Sequence, residues 1–316
     1  MHRLLLCTIL TGIAGVAAAQ SYPTRPVRVV VGAAAGGGTD ILARTLAPRM
    51  SEMLGQSVIV DNRPGAATNI GAEIVATAPA DGHTLLVAST PHAINASLFE
   101  KLPFDPITSF APVSLLATVQ TALVVHPALP ARSVKDLIGL ARARRGELTA
   151  ASSAGTSQFL AVELFKTMAG VDIVNVPYKG AGPAMNDVLA GQVQMQVNTL
   201  LATLPHINAG KLRVLGVCGA QRSALLRDVP TVGETLKGFE SNGWYAMFAP
   251  ARTAPDVLSR VHDAAVKSLK QGSTQDKLLT QGVDVIASSP DELARYLKAE
   301  IPKWGRVVKA AGLKPE

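Results

Sequence analysis

Short apolar runs of strand length alternate along this chain with longer stretches whose apolar positions recur every three or four residues. That pattern predicts buried strands and amphipathic helices in alternation, hence an α/β protein with largely parallel sheets. A first unit reads as strand 27–31, helix 40–53, strand 58–60, helix 69–76 and strand 84–88. Pro48 falls inside the first helix, where the missing N–H and the ring clash predict a kink or an early end. A long apolar extended stretch, 113–126, leads into a second unit. Ser133 and Asp136 form a capping-box pattern ahead of helix 137–145, Gly146 stops it, and strand 148–151 runs into a hydroxyl-rich turn, 152–157. The next helix carries Leu160, Leu164 and Met168 on one face and ends at Gly170. Segments 173–176, 183–190, 193–197, 205–209 and 214–218 continue the alternation. Another apolar extended segment, 244–248, precedes the terminal helices, the last opened by Ser289, Pro290 and Glu292. Two crossings, near 113–126 and 243–249, make the second unit an insertion: residues 20–122 and 245–316 form one lobe, 123–244 the other.

Candidate chemistry concentrates where the first strand meets its helix, at Gly32-Ala33-Ala34-Ala35-Gly36-Gly37-Gly38-Thr39-Asp40. A glycine-rich turn there leaves backbone N–H groups free at the positive end of the helix dipole, with no bulky side chain in the way of an anion. Gly38 stands where a P-loop needs its lysine, which removes nucleoside triphosphate chemistry. A dinucleotide fingerprint is matched at Gly36 and Gly38, with Ile41 in place of the third glycine and Asp61 after the second strand. A tight turn with no ligand accounts for the same letters. The turn Ser152-Ser153-Ala154-Gly155-Thr156-Ser157 repeats the logic: its hydroxyls either cap the helix or donate to a ligand clamped between two such turns.

Met1-His2-Arg3, the apolar run 4–18 and Ala17-Ala18-Ala19 read as a signal peptide, residues 1–19, so a periplasmic protein is expected. Removing it leaves Cys218 as the sole cysteine, so stability must come from the core rather than a disulfide. At 48% hydrophobic and 17% charged, 316 residues hold ample material for two compact lobes of a soluble monomer. The net charge of +7 raises nucleic-acid binding, yet the densest cluster, Arg142 to Arg145, sits at a helix end without interleaved aromatics. No nucleic-acid partner is expected. The six histidines are scattered without metal-ligand spacing, so neither metal nor cofactor is expected. There is no G-x-S-x-G elbow, and Asp40 in a helix's first turn is ordinary dipole chemistry, so catalysis is not expected either.

The chain resembles the exported Bug-type receptors, the solute-binding component associated with tripartite tricarboxylate transporters. The resemblance rests on Tyr22-Pro23 through Arg28, on Ala35 to Asp40, on Leu54-Gly55-Gln56 and on Asp61-Asn62-Arg63-Pro64-Gly65-Ala66. It continues through Asp81 to Leu86, Val176-Pro177-Tyr178-Lys179-Gly180 and Asp228-Val229-Pro230-Thr231. It implies a two-lobed periplasmic binding protein fold of the type II, cross-over class, with two parallel or mixed sheets flanked by helices and joined by two crossover hinge strands. It also implies capture of a small carboxylate through backbone amides and ordered waters. The implied contacts are Ala33, Ala35, Gly36, Gly37, Gly38, Thr39 and Asp40 in the first loop, and Ser89 and Thr90 after the third strand. In the second lobe they are Ser153, Ala154, Gly155, Thr156, Ser157, Tyr178, Gly180 and Asn198.

Three positions depart from the family pattern. Gly32-Ala33-Ala34 replaces the usual Pro-Phe-Pro, deleting an aromatic wall. Gln194 and Asn198 stand where relatives often have aspartates. His92 occupies a frequent glycine position, as either a ligand contact or a surface-loop histidine. The competing readings are a dinucleotide-dependent oxidoreductase using Gly36, Gly38 and Asp61, which an exported protein disfavours, and a ligand-sensing partner of a membrane kinase. Transporter subunits are the other expected membrane partners.

Overall fold

The computed structural model describes residues 22–153 and 156–313. The expected signal peptide, Ala154 and Gly155 lie outside the described residues. In chain order the first lobe begins β1 (Val27–Val31), α1 (Gly38–Leu54), β2 (Val58–Asn62), α2 (Asn69–Ala76), β3 (Thr84–Ser89), α3 (Pro91–Leu98) and β4 (Phe110–Val119). The second lobe comprises β5 (Thr121–Val125), α4 (Val134–Ala143), β6 (Thr149–Ser152), α5 (Ser157–Ala169), β7 (Val174–Pro177), α6 (Ala181–Leu189), β8 (Met195–Thr199), α7 (Leu200–Asn208), β9 (Arg213–Val217) and α8 (Val232–Thr235). The chain returns through β10 (Gly243–Pro250), α9 (Pro255–Leu269), α10 (Gly272–Leu279), β11 (Val283–Val285) and α11 (Pro290–Ala310).

The strands form two sheets, ordered β11-β4-β10-β3-β1-β2 and β7-β6-β8-β5-β9. Both are mixed. β1 pairs parallel with β2 and β3, whereas β10 runs antiparallel to β3 and β4. In the second sheet β6 is parallel to β7 and β8, and β5 is antiparallel to β8 and β9. The antiparallel pairs arise at the crossings, because a strand arriving from the other lobe enters from the opposite end. Gln120 alone separates β4 from β5. The two crossings are tied together: the Thr121 hydroxyl donates to the Ser241 carbonyl, Cys218 N–H to Thr121 O (2.7 Å), and Ser241 N–H to Cys218 O (2.8 Å).

Both faces of the first sheet are covered, which explains why its strands are apolar throughout rather than alternating. Val29 and Val31 pack with Leu42, Leu46 and Met50 of α1 and Val261 of α9, while Val30 faces Ile94, Phe248 and Trp304. In the second lobe Met195 and Val197 meet Leu137 and Phe165, and Val124 meets Met185 and Val188 on the other face.

Several boundaries differ from the sequence reading. α1 runs unbroken through Pro48, which is exposed, so the carbonyl of Arg44 that loses its donor faces water. Ser133 does cap α4 by accepting from Asp136 N–H (3.1 Å), but the Asp136 carboxylate reaches Arg132 N–H instead of closing the box. The reciprocal box is complete at Ser289 and Glu292. α3 and β11 were not predicted, since both are short and gain their stability from tertiary partners rather than periodicity. No helix among the described residues is long and apolar enough to cross a membrane.

Candidate functional site

The loop after β1 and the turn ahead of α6 meet between the lobes: a methyl carbon added at Gly180 would lie 3.9 Å from Ala34 Cβ. Leu201, at the start of α7, packs into the first lobe's core. The meeting point sits at the carboxyl ends of β1, β3, β6 and β8, where open α/β sheets present their crevices.

The first loop is shaped by its own acid. Gly36, at φ +80°, donates its N–H to Asp40 Oδ2 (2.8 Å), and Arg44 Nε donates to Asp40 Oδ1 (2.9 Å). Burial raises the Asp40 pKa, but the Gly36 N–H, Arg44 and Asn62 outweigh it and hold the carboxyl below its usual range. Asp40 is thus committed to folding the loop, and one N–H expected for a ligand is spent on it. Asn62 Nδ2 donates to Ala33 O (3.0 Å), and Gly37 N–H to Ala34 O (3.3 Å). Among the described residues nothing accepts from the N–H groups of Gly38, Thr39 or Asp40, the first-turn donors of α1. Tyr245 of β10 brings its hydroxyl against Gly38, where any side chain would overlap it.

Beside this turn lies a small compartment lined by Gly32, Ala33, Thr39, Thr68, Ser89 and His92, with room for about one water-sized group. Thr39 and Ser89 were expected there; Thr68 was not. It belongs to a turn, Ala66–Thr68, in which three consecutive non-glycine residues have positive φ (43°, 50° and 82°), a conformation costing of order 1–3 kcal/mol each. Asn95 holds the turn through Nδ2 bonds to Ala67 O (2.8 Å) and Asn69 Oδ1 (2.7 Å). The close approach of Thr68 and Gly71 to Gly32, within 2.7 Å of a built Cβ, brings a residue distant in sequence onto the loop. No linear signal marks this.

His92 is neither on a surface loop nor exposed. It lies in α3, 4% exposed, stacked on Phe104 and Phe248 and edge-on to Phe110, with Nε2 2.9 Å from Pro106 O. Burial pushes its imidazole down to about 4, against the opposing pull of the Pro106 carbonyl. The unfolded imidazole titrates near 6.5. Between those values the unfolded chain binds a proton that the folded one refuses, so stability is complete above about pH 6.5 and declines as pH falls toward 4. The expected loss is about 3 kcal/mol by pH 4. Urea midpoints at successive pH values measure it; a slope unchanged in His92→Phe would assign it to other groups.

In the second lobe, Ser153 Oγ accepts from Gly180 N–H (3.0 Å) and so pins the Gly180 turn. Thr156 caps α5 by accepting from Phe159 N–H (3.2 Å) and donates to Ser153 O (2.6 Å), the structural of the two roles its sequence position allowed. Ser157 is buried in the first turn of α5. Tyr178 turns its hydroxyl to Asp187 (2.6 Å), whose acceptance pushes the phenol up to about 12. Thr90 receives Trp244 N–H (3.1 Å) and supports the hinge strand. Asn198, 2% exposed, accepts from Thr199 N–H (2.8 Å), and its Nδ2 has no partner among the described residues. Gln194 binds Thr149 through Oε1 at 2.7 Å and serves the sheet. Among the described residues no three His, Cys, Asp or Glu side chains gather to hold a metal ion.

Comparison with known proteins gives one consistent result. The family model described as tripartite tricarboxylate transporter family receptor matches residues 42–313. Protein BugT of Bordetella pertussis is 36% identical, covering 96% of this chain and 94% of its own. The solved structure of Rpa4515 of R. palustris with adipate is 40% identical with a TM-score of 0.90, covering 93% of this chain and all of its own. MatC of Rhodopseudomonas palustris with bound malate is 30% identical with a TM-score of 0.86, covering 91% and 100%. The periplasmic binding protein BugD is 32% identical with a TM-score of 0.89, covering 93% and 100%.

Proposed function

We propose that this chain, which belongs to the tripartite tricarboxylate transporter receptor family, is an extracytoplasmic receptor that captures a small carboxylate between its lobes and delivers it to a tripartite-type transporter. The observation that carries this reading is the unpartnered first turn of α1, with the N–H groups of Gly38, Thr39 and Asp40 at the meeting point of the lobes. A carboxylate satisfies such donors and the helix dipole together. The adipate and malate in the two R. palustris relatives are anions of that class. Ala33, Ala35, Gly37 and Ser89 form the rest of the first-lobe wall, and Ser153, Gly180 and Asn198 the second. Ligand that touches both lobes favours the closed arrangement by its differential affinity for it.

An oxidoreductase would need Asp61 free for a ribose, yet Asp61 is engaged by Arg28 and by Arg63 (3.1 Å). The expected outcome of a thermal-shift screen is a concentration-dependent rise in Tm with one class of mono-, di- or tricarboxylate and none with NAD. A rise of about 2.7 kcal/mol in stability corresponds to ligand at a hundred times its Kd. Stabilisation by NAD alone would overturn the receptor reading.

A further inference from the structure

We propose that the water-facing row of α11 is a docking surface for anionic phospholipid headgroups, by which the first lobe rests against a membrane. None of the residues placed in the cleft belongs to α11, so the inference goes beyond the carboxylate-receptor reading and stands independently of it.

The buried side of α11 is apolar, with Leu293, Leu297, Trp304 and Val308 set in the first lobe's core. On the opposite side Arg295, Lys298, Arg306 and Lys309 are all exposed. With 3.6 residues per turn they fall within an arc of about 80°, and at a rise of about 1.5 Å per residue they span about 21 Å. The exposed positions between them, Ala299 and Pro302, carry no charge. Acidic side chains on this helix stand elsewhere. Asp291 and Glu292 lie in its first turn, where Glu292 closes the box with Ser289, and Glu300 is buried against Trp244 and Trp304. Glu100 and Asp105 border a groove shared with Ile301, which is about 120° round the helix from Arg295. None of the four cations makes an ion pair among the described residues.

Like charges stacked on one helix face repel, so the row gains when an anionic surface neutralises it. The kind of surface follows from what the row lacks. A specific protein interface centres on apolar and aromatic groups and is poor in lysine, whereas the centre of this row holds only Ala299 and Pro302. Single-stranded nucleic acid is held by aromatic stacking alongside cations, and the row contains no aromatic residue. An anionic bilayer presents a plane of mobile charge that long, flexible cationic side chains meet without shape complementarity. The apolar side of α11 is already consumed by the core, so none of it is free to insert among acyl chains. Attachment through this face is therefore electrostatic and reversible.

The test is co-sedimentation of the mature protein with vesicles of mixed phosphatidylglycerol and phosphatidylcholine, and with vesicles of phosphatidylcholine alone. Association is expected with the anionic vesicles only, fading between ~0.01 and ~0.15 M salt as the screening length shortens. Each cation near such a surface is worth about fivefold in partitioning, so Arg295→Gln/Arg306→Gln is expected to bind about 25-fold more weakly. Arg144→Gln/Arg145→Gln removes the same charge from exposed positions of the second lobe and is expected to change binding by less than about twofold. All four positions are exposed, so thermal melting should find both variants folded, with carboxylate affinity unchanged. Equal losses in the two variants would trace the association to net charge and overturn the proposal. So would no association at low salt, or undiminished partitioning of Arg295→Gln/Arg306→Gln. Binding to poly-glutamate in preference to vesicles would assign the row to an acidic protein partner and overturn it as well.

Discussion

Replacing Gly37 with leucine is expected to weaken carboxylate binding by at least about a hundredfold, or ~2.7 kcal/mol, while leaving the protein folded. The position is chosen by elimination among the loop glycines. Gly36 needs its positive φ, and a side chain at Gly38 would run into the Tyr245 hydroxyl. Gly37 has an ordinary extended backbone, φ −76° and ψ 162°, and a Cβ there meets Ala34 O at 3.3 Å, a contact relieved by a small shift. As the N-cap of α1 it tolerates leucine poorly, so a stability loss of about 1 kcal/mol, or ~2–4 °C in Tm, is expected. A leucine side chain at that cap covers the first-turn donors that an anion must reach. Calorimetric titration and thermal melting together separate the two effects. Native affinity in a folded Gly37→Leu protein would remove the loop from the site.

Glu300→Ala is expected to destabilise the first lobe by about 3–5 kcal/mol. Glu300 of α11 is 5% exposed, and its Oε2 accepts from the indole N–H of both Trp244 (2.9 Å) and Trp304 (2.8 Å), while Oε1 meets Lys303 Nζ (2.9 Å). Both tryptophans are 1% exposed, so removing the carboxylate orphans two buried donors and opens a cavity. Glu300→Gln keeps one acceptor oxygen and should cost about 1–2 kcal/mol. These are the chain's two tryptophans, so their fluorescence during urea unfolding reads the lobe that the change perturbs. A midpoint for Glu300→Ala within about 1 kcal/mol of the native protein, at unchanged m, would deny the carboxylate this structural role. Because Trp244 lies on the hinge strand β10, the same contact also fixes where that strand enters the lobe.

Helix 69–76 is set by its local apolar pattern and the box at Ser289 and Glu292 by caps within a few residues, and the structure has both at those positions. The continuation of α1 past Pro48 was not legible, because whether an unpaired carbonyl is tolerated depends on its facing water. The loop glycines raise the expectation of an anion site, but the letters left open that Asp40 would consume the Gly36 N–H and that Thr156 would act as a cap. His92 was read as either a ligand contact or a surface residue. Its burial among Phe104, Phe110 and Phe248 joins residues separated by long stretches of chain.

By itself the sequence determined the alternation of strands and helices, the glycine turn at the head of α1 and the family to which the chain belongs, because each is written in short-range pattern or in ordered blocks of letters. The tertiary structure alone decided which N–H groups stay free, which hydroxyls are spent, and that Thr39, Thr68, Ser89 and His92 share one compartment. Those outcomes depend on the close packing of Gly32 against Thr68 and Gly71 and on the pairing of β1 with β3. Contacts between residues far apart in the chain are fixed by packing, and no local propensity encodes them.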